Sequence, residues 1–214
     1  VDEFLAAGRL LGLKSIAGME TRVFVPEFSE REINSPGEPG IAYHVGAGMP
    51  CSTPPQAQQS FLANLKQTAQ KRNRELIDRV NAFTAPVALD FERDVIPLTP
   101  NGNATERHIC LAYARQAAEK FADESELRNY WTEKLGDLPG DIDLPEGPDL
   151  QALIRKKTMK QGGAGYVESE SEAFPTMAAV NQFILASGGV PTLTWLNGLS
   201  AGEQAIDELL DLTV

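Results

Sequence analysis

The sequence predicts an α/β fold interrupted by a helical module, on three observations. Short extended runs lie towards both ends of the chain, at Ile16–Glu20, Arg22–Val25, Ile41–Val45 and Val190–Trp195. The middle carries long apolar patterns of helical period and few extended runs. Proline and glycine clusters at Pro54-Pro55, Gly136–Pro148 and Gly162-Gly163 mark the changes of pattern. The chain is accordingly read as an α/β portion over 1–50, a mostly helical insertion over 51–163, and a resumed α/β portion over 164–214.

Each element has a local cause. Asp2–Leu13 places Phe4, Leu5, Ala7, Leu10 and Leu11 on one broad face, with Gly12 as a stop. After the two extended runs, Ser29–Gly40 holds Pro36-Gly37 and Pro39-Gly40 and reads as a charged excursion that returns at Ile41–Val45. Ala57–Phe83 is a long helix with Phe61, Leu62, Leu65, Leu76, Ile77 and Val80 at helical spacing. Its Lys66, Lys71, Arg72 and Arg74 form a stripe of the kind that is solvated. Asn103 or Thr105 can cap a helix over Ala104–Phe121. Asp123-Glu124-Ser125-Glu126 has capping-box character and opens a short helix that anchors the module through Tyr130 and Trp131. A further helix spans Asp149–Lys160. Pro175 suits the first turn of one running to Ser187, stopped by Gly188-Gly189. Val190–Trp195 reads as a buried strand, and Ser200 caps a last helix through Leu210.

Composition sets the function classes. The 214 residues are 42% hydrophobic and 23% charged, which is enough apolar material for a buried core. A formal charge of −11 with no dense basic run argues against binding of a nucleic-acid duplex. Cys51 and Cys110, the two cysteines, lack metal or redox spacing and fit a reduced, cytoplasmic protein, although one bridge between them stays open. No apolar run reaches membrane-spanning length and no signal peptide is visible. Both ends of the chain look cut from something longer.

The strongest chemical signal is a pair. Glu20 closes one extended run and His44, one of two histidines, closes another, each beside glycine-rich turning sequence. A carboxylate and an imidazole on neighbouring strand ends can share a cation or a proton. The competing reading is a core histidine satisfied by a backbone carbonyl.

The order of motifs resembles the polymerase and histidinol phosphatase (PHP) family of metal-dependent phosphoesterases. Gly18-Met19-Glu20 is similar to its G-x-E segment, and Tyr43-His44-Val45-Gly46 to its strand-end histidine segment. Lys71–Asn81 resembles the R-x-x-R helix of the nucleotide-phosphoesterase branch. Glu106-Arg107-His108-Ile109 resembles the G-R-x-H-I segment of that branch's helical insertion, and Gly188–Leu193 the A-G-G-V-P-V-L stretch.

The resemblance implies part of a PHP-type, distorted TIM-like barrel with an inserted helical module, truncated at both ends. It implies Glu20 and His44 as metal ligands, Zn, Mn or Fe as the divalent metal, and Arg107 and His108 as phosphate contacts. The implied activity is hydrolysis of nucleotide or small phosphoesters by metal-activated water. Trp195-Leu196 stands where the family has a metal-binding His-Pro, and an indole nitrogen cannot replace an imidazole ligand. Two ligands are too few for a tight site, so this chain is expected to bind metal weakly or not at all. The alternative is a catalytically inactive scaffold kept for ligand or partner binding. Open sheet edges would further predict association into a homo-oligomer.

Overall fold

The computed structural model describes residues 1–166 and 173–213. In chain order the main elements are α1 (Asp2–Leu10), β1 (Ala17–Phe24), β2 (Ile41–Met49), α2 (Gln59–Thr84), α3 (Glu106–Lys120), α4 (Glu124–Leu135), α5 (Pro148–Thr158), α6 (Met177–Ala186), β3 (Val190–Leu193), α7 (Ala201–Gln204) and α8 (Ile206–Thr213). The chain divides into two compact units: Val1–Leu65 with Ser169–Val214, and Lys66–Glu168. The first junction falls inside α2, where no glycine, proline or change of period marks it.

The first unit corrects the barrel expectation. Its sheet has the order β1-β2-β3 among the described residues, and both pairings are antiparallel. A TIM-like barrel needs parallel strands closed on themselves, whereas this three-stranded sheet is open. The reversal between β1 and β2 is made by the excursion that separates them. Val25 N donates to Gly40 O (2.8 Å) and Gly40 N to Arg31 O (2.9 Å), while Arg22 pairs with Glu38 (2.7 Å). Gly40 sits at φ +74°, and a Cβ there would lie 2.9 Å from the Phe24 ring. α6 is likewise no crossover between parallel strands, since β3 runs back antiparallel to β2. The barrel had been implied by the family resemblance, and an order of motifs along the chain carries no information on strand direction.

Two further strand features differ from expectation. β1 is continuous through Thr21, with a register shift at Ala17/Gly18. β3 is an exposed strand rather than a buried one, with Val190 63% exposed and Pro191 in its interior. Proline has no N–H for a ladder bond, which suits an edge.

Side chains on one face of the sheet, including Val23 and Ala42, pack with Phe28, Val180, Phe183 and Ile184 into the core of the first unit. Phe61 stacks on Phe183 at 5.1 Å. α6 approaches closely because β2 offers Gly46: a Cβ there would lie 2.8 Å from Ile184 Cγ1 and 3.1 Å from Met19 Cγ.

The second unit is helical. Its core joins Leu76, Ile77, Val80, Ile109, Tyr113 and Trp131 with residues of α5. Asn81 clamps the turn after α2, donating to Leu89 O (2.9 Å) and accepting from Leu89 N (2.8 Å) and the Tyr113 hydroxyl (2.7 Å). Tyr130 donates to Thr84 O (2.6 Å) and Trp131 is fully buried, so both aromatics belong to the core.

Gly46→Val is expected to lower stability by about 1–3 kcal/mol, because inserted methyl groups must displace Ile184. Urea unfolding checks this, and Gly48→Val, which meets no heavy atom within 4 Å but starts from φ +72°, separates packing from backbone strain.

Candidate functional site

The pairing of β1 with β2 decides the fate of the Glu20–His44 pair. His44 stands opposite Thr21, and Glu20 opposite Val45. Directly opposed residues share a face and successive residues alternate. Glu20 and His44 therefore leave opposite faces of the sheet, Glu20 exposed and His44 buried. Both also lie inside their strands rather than at the ends. The two side chains are not brought together, and among the described residues no group of three or more His, Cys, Asp or Glu side chains is placed to hold a metal ion.

His44 has another partner. Its Nε2 lies 2.6 Å from Asn181 Oδ1 on α6, while Asn181 Nδ2 donates to Leu212 O at 3.5 Å. Because Oδ1 can only accept, Nε2 carries the proton and Nδ1 is the bare nitrogen. Nδ1 is buried with no hydrogen-bond partner. Burial pushes the imidazole below its ordinary value of 6.5, against the opposing effect of the Asn181 hydrogen bond. His44 is thus a neutral core histidine, held by a side-chain amide rather than by a backbone carbonyl.

Trp195 follows β3 and is 48% exposed. Its ring lies over Gly198, which has φ +71° and where a Cβ would meet the indole at 2.9 Å. The buried polar group in this part of the fold is Glu203, unremarked in the sequence. Its carboxylate accepts from the backbone N–H groups of Leu196, Asn197 (3.3 Å) and Gly198 (2.8 Å). Ser200 caps α7 by accepting from Glu203 N at 3.0 Å. Ser-x-x-Glu spacing is the one local signal that could have found it.

The second unit holds a strongly charged recess. A cavity of about 130 Å³ is lined by Arg107 and Cys110 of α3, by Gln151, Ala152, Arg155 and Lys156 of α5, and by Lys160 just beyond it. Behind it, Glu106 accepts from Arg155 Nε (2.6 Å) and Lys160 Nζ (2.9 Å). Burial works to raise the Glu106 carboxyl, yet the hydrogen bonds and charges of Lys160 and Arg155 outweigh it and hold the group below the usual carboxylate value. Arg107 and Lys156 are exposed and make no ion pair among the described residues. Four cations therefore face one carboxylate. Burial, with the charge of Glu106, pushes the Cys110 thiol up to about 12, so it lines the recess as an inert neutral group.

His108 is separated from its neighbour Arg107. Its Nδ1 accepts from Thr105 N at 3.1 Å and lies 2.9 Å from Thr105 Oγ1, closing a capping box at the start of α3. Arg107 faces the recess and His108 caps the helix. Arg155, Lys156 and Lys160 were not singled out in the sequence, where they fall within the helix read over Asp149–Lys160. Comparison with models of known protein families and with curated proteins gives no significant match to this chain.

The His44 shift has a direction in pH. The unfolded imidazole protonates near 6.5 and the folded one below it, so folding stability is fully present above about 6.5 and is lost as pH falls towards the folded value. Urea midpoints at pH 7.5 and 5.5 should differ more for the wild-type chain than for His44→Gln. Equal pH dependence of the two would contradict the buried neutral assignment.

Proposed function

We propose that this chain is a ligand-binding protein whose helical unit holds the phosphate group of a small phosphorylated metabolite without hydrolysing it. The observation that carries this reading is the recess lined by Arg107, Arg155, Lys156 and Lys160 in a chain that is otherwise acidic overall. Guanidinium and ammonium groups donate strong charge-assisted hydrogen bonds to phosphate oxygens. At about 130 Å³ the recess suits the phosphate and the first atoms of its substituent. A site enclosing a whole drug-sized ligand starts at about 300 Å³. The PHP resemblance supports phosphate as the group bound, since Arg107 stands in the segment that carries the family's phosphate contact. The plainer role of the α5 cations is to offset the negative end of the helix; that accounts for Lys157 but not for Arg107 on α3.

Hydrolysis with Mn, Zn or Fe is the second reading, favoured by the order of motifs along the chain. It requires Glu20 and His44 to serve one metal centre, which side chains on opposite sheet faces do not support. Homo-oligomerisation through the free edges of β1 and β3 is part of the binding reading. Among the described residues the outer edge of β1 is engaged only at Phe24, by Thr176, and that of β3 not at all. No described helix is long and apolar enough to cross a membrane, so a membrane-spanning helix plays no part in this reading.

Isothermal titration with AMP and with inorganic phosphate should show saturable binding. Arg107→Ala and Lys156→Ala are each expected to weaken it by about tenfold, the worth of one charge-assisted hydrogen bond. These two are the clean variants, because removing Arg155 or Lys160 would also strip Glu106 of a partner. No binding of either anion would overturn the reading. With MnCl2 or ZnCl2 added, turnover of bis-p-nitrophenyl phosphate is expected to be absent; turnover abolished by His44→Ala would establish the hydrolase instead.

A further inference from the structure

A second concave surface of the helical unit has the opposite character. Two adjoining recesses of about 310 Å³ and 240 Å³ lie where the end of α3, the start of α4 and the turn before α5 meet. They share Ala118 and Pro145, which makes them neighbouring compartments of one groove. The apolar lining includes Phe121, Leu127 and Leu144. Phe121 is stacked on Tyr130 at 4.7 Å, and Tyr130 is fixed by its bond to Thr84 O, so the floor is preorganised.

The rim is acidic. Glu119 and Glu146 line one compartment and Glu124 the other, against the single cation Arg115, which is already paired with Glu146 at 2.6 Å. The N-terminus of α4 offers no compensating positive end, because Asp123 caps it by accepting from Ser125 N and Glu126 N. An anionic ligand is therefore repelled from the groove that a cationic one would enter, and the phosphate recess is not involved.

Two compartments in a row match successive side chains of a peptide better than one compact molecule, as in the docking of helical or extended segments into apolar grooves. We propose that this groove docks a segment of a partner protein that carries apolar anchor side chains flanked by lysine or arginine. The apolar anchors would fill the compartments beside Ala118 and Pro145, while the basic flanks would face Glu119 and Glu124. Rim charges of this kind act mainly on the association rate and on the choice of partner.

The test is selection from a displayed library of random dodecamers on the wild-type protein, followed by fluorescence anisotropy of the enriched peptides. Enrichment of Leu, Ile, Phe or Met flanked by Lys or Arg is expected. Ala118→Arg, which fills the junction of the compartments, and the double variant Glu119→Lys/Glu124→Lys should each weaken binding by about tenfold. Glu119 and Glu124 are exposed, so the double variant is expected to keep the wild-type circular dichroism melt. No enrichment, enrichment of acidic sequences, or affinities unchanged in both variants would overturn the proposal. So would self-association in sedimentation velocity that the double variant abolishes, since the occupant would then be a second copy of this chain.

Discussion

The antiparallel pairing of β1 with β2 is the constraint on which the first unit depends. With Thr21 opposite His44 and Val23 opposite Ala42, one set of alternate residues turns towards α6 and the other turns away. A slip of one residue would carry Val23 outward and Glu20 inward. The register therefore sets the core and the chemistry together: it buries His44, where Asn181 meets it, and leaves Glu20 exposed. Gly46 belongs to the same set, because α6 can lie against β2 only where the inward position has no side chain.

In the helical unit the corresponding organiser is Glu106. A carboxylate largely withdrawn from water is costly unless it is paired, and both Arg155 and Lys160 reach it. One carboxylate thus draws two cations from α5 and its end towards α3, and Arg107 and Lys156, which make no ion pair among the described residues, line the same recess. The groove beside Ala118 and Pro145 has the reverse arrangement: Arg115 is paired with Glu146, and Glu119 and Glu124 line the same groove.

The positions of most elements were legible because their causes are local. Asp123, Ser200 and the Gly188-Gly189 pair acted at their own places in the chain, and helical spacing marked Leu76, Ile77 and Val80 as inward. Strand direction was not legible. A helix pattern between two strand patterns reads the same whether the second strand returns parallel or antiparallel, and the barrel implied by the family resemblance had no support from strand direction in this chain. The face of Glu20 was hidden for a related reason: it depends on register with a strand more than twenty residues away. Thr105 and His108 show the converse case. Their three-residue spacing already permitted a capping box, and the family likeness of the segment drew attention to phosphate instead. The recess itself could not be read, because it exists only where α3 meets α5.

Glu203 shows how far such non-local demands reach. Its carboxylate is buried at 1% exposure, yet three backbone N–H groups from the turn after β3 converge on it. Those donors have no strand partner, since the ladder stops at Leu193. Leaving a buried carboxylate without donors costs more than the about 1–3 kcal/mol of a neutral buried polar group. The turn carrying Trp195 and Gly198 is therefore shaped by a residue of α7 that follows it, and α7 is in turn held to the excursion by Gly202 N donating to Glu32 O at 2.8 Å. The excursion that reverses the chain between β1 and β2 thus also anchors α7. Asn34, which accepts from Tyr43 N and donates to Thr194 O (both 2.7 Å), and Ser200, which donates to Ile33 O, tie the same excursion to the chain after β3, so the reversal and the end of the fold are held together by several bonds.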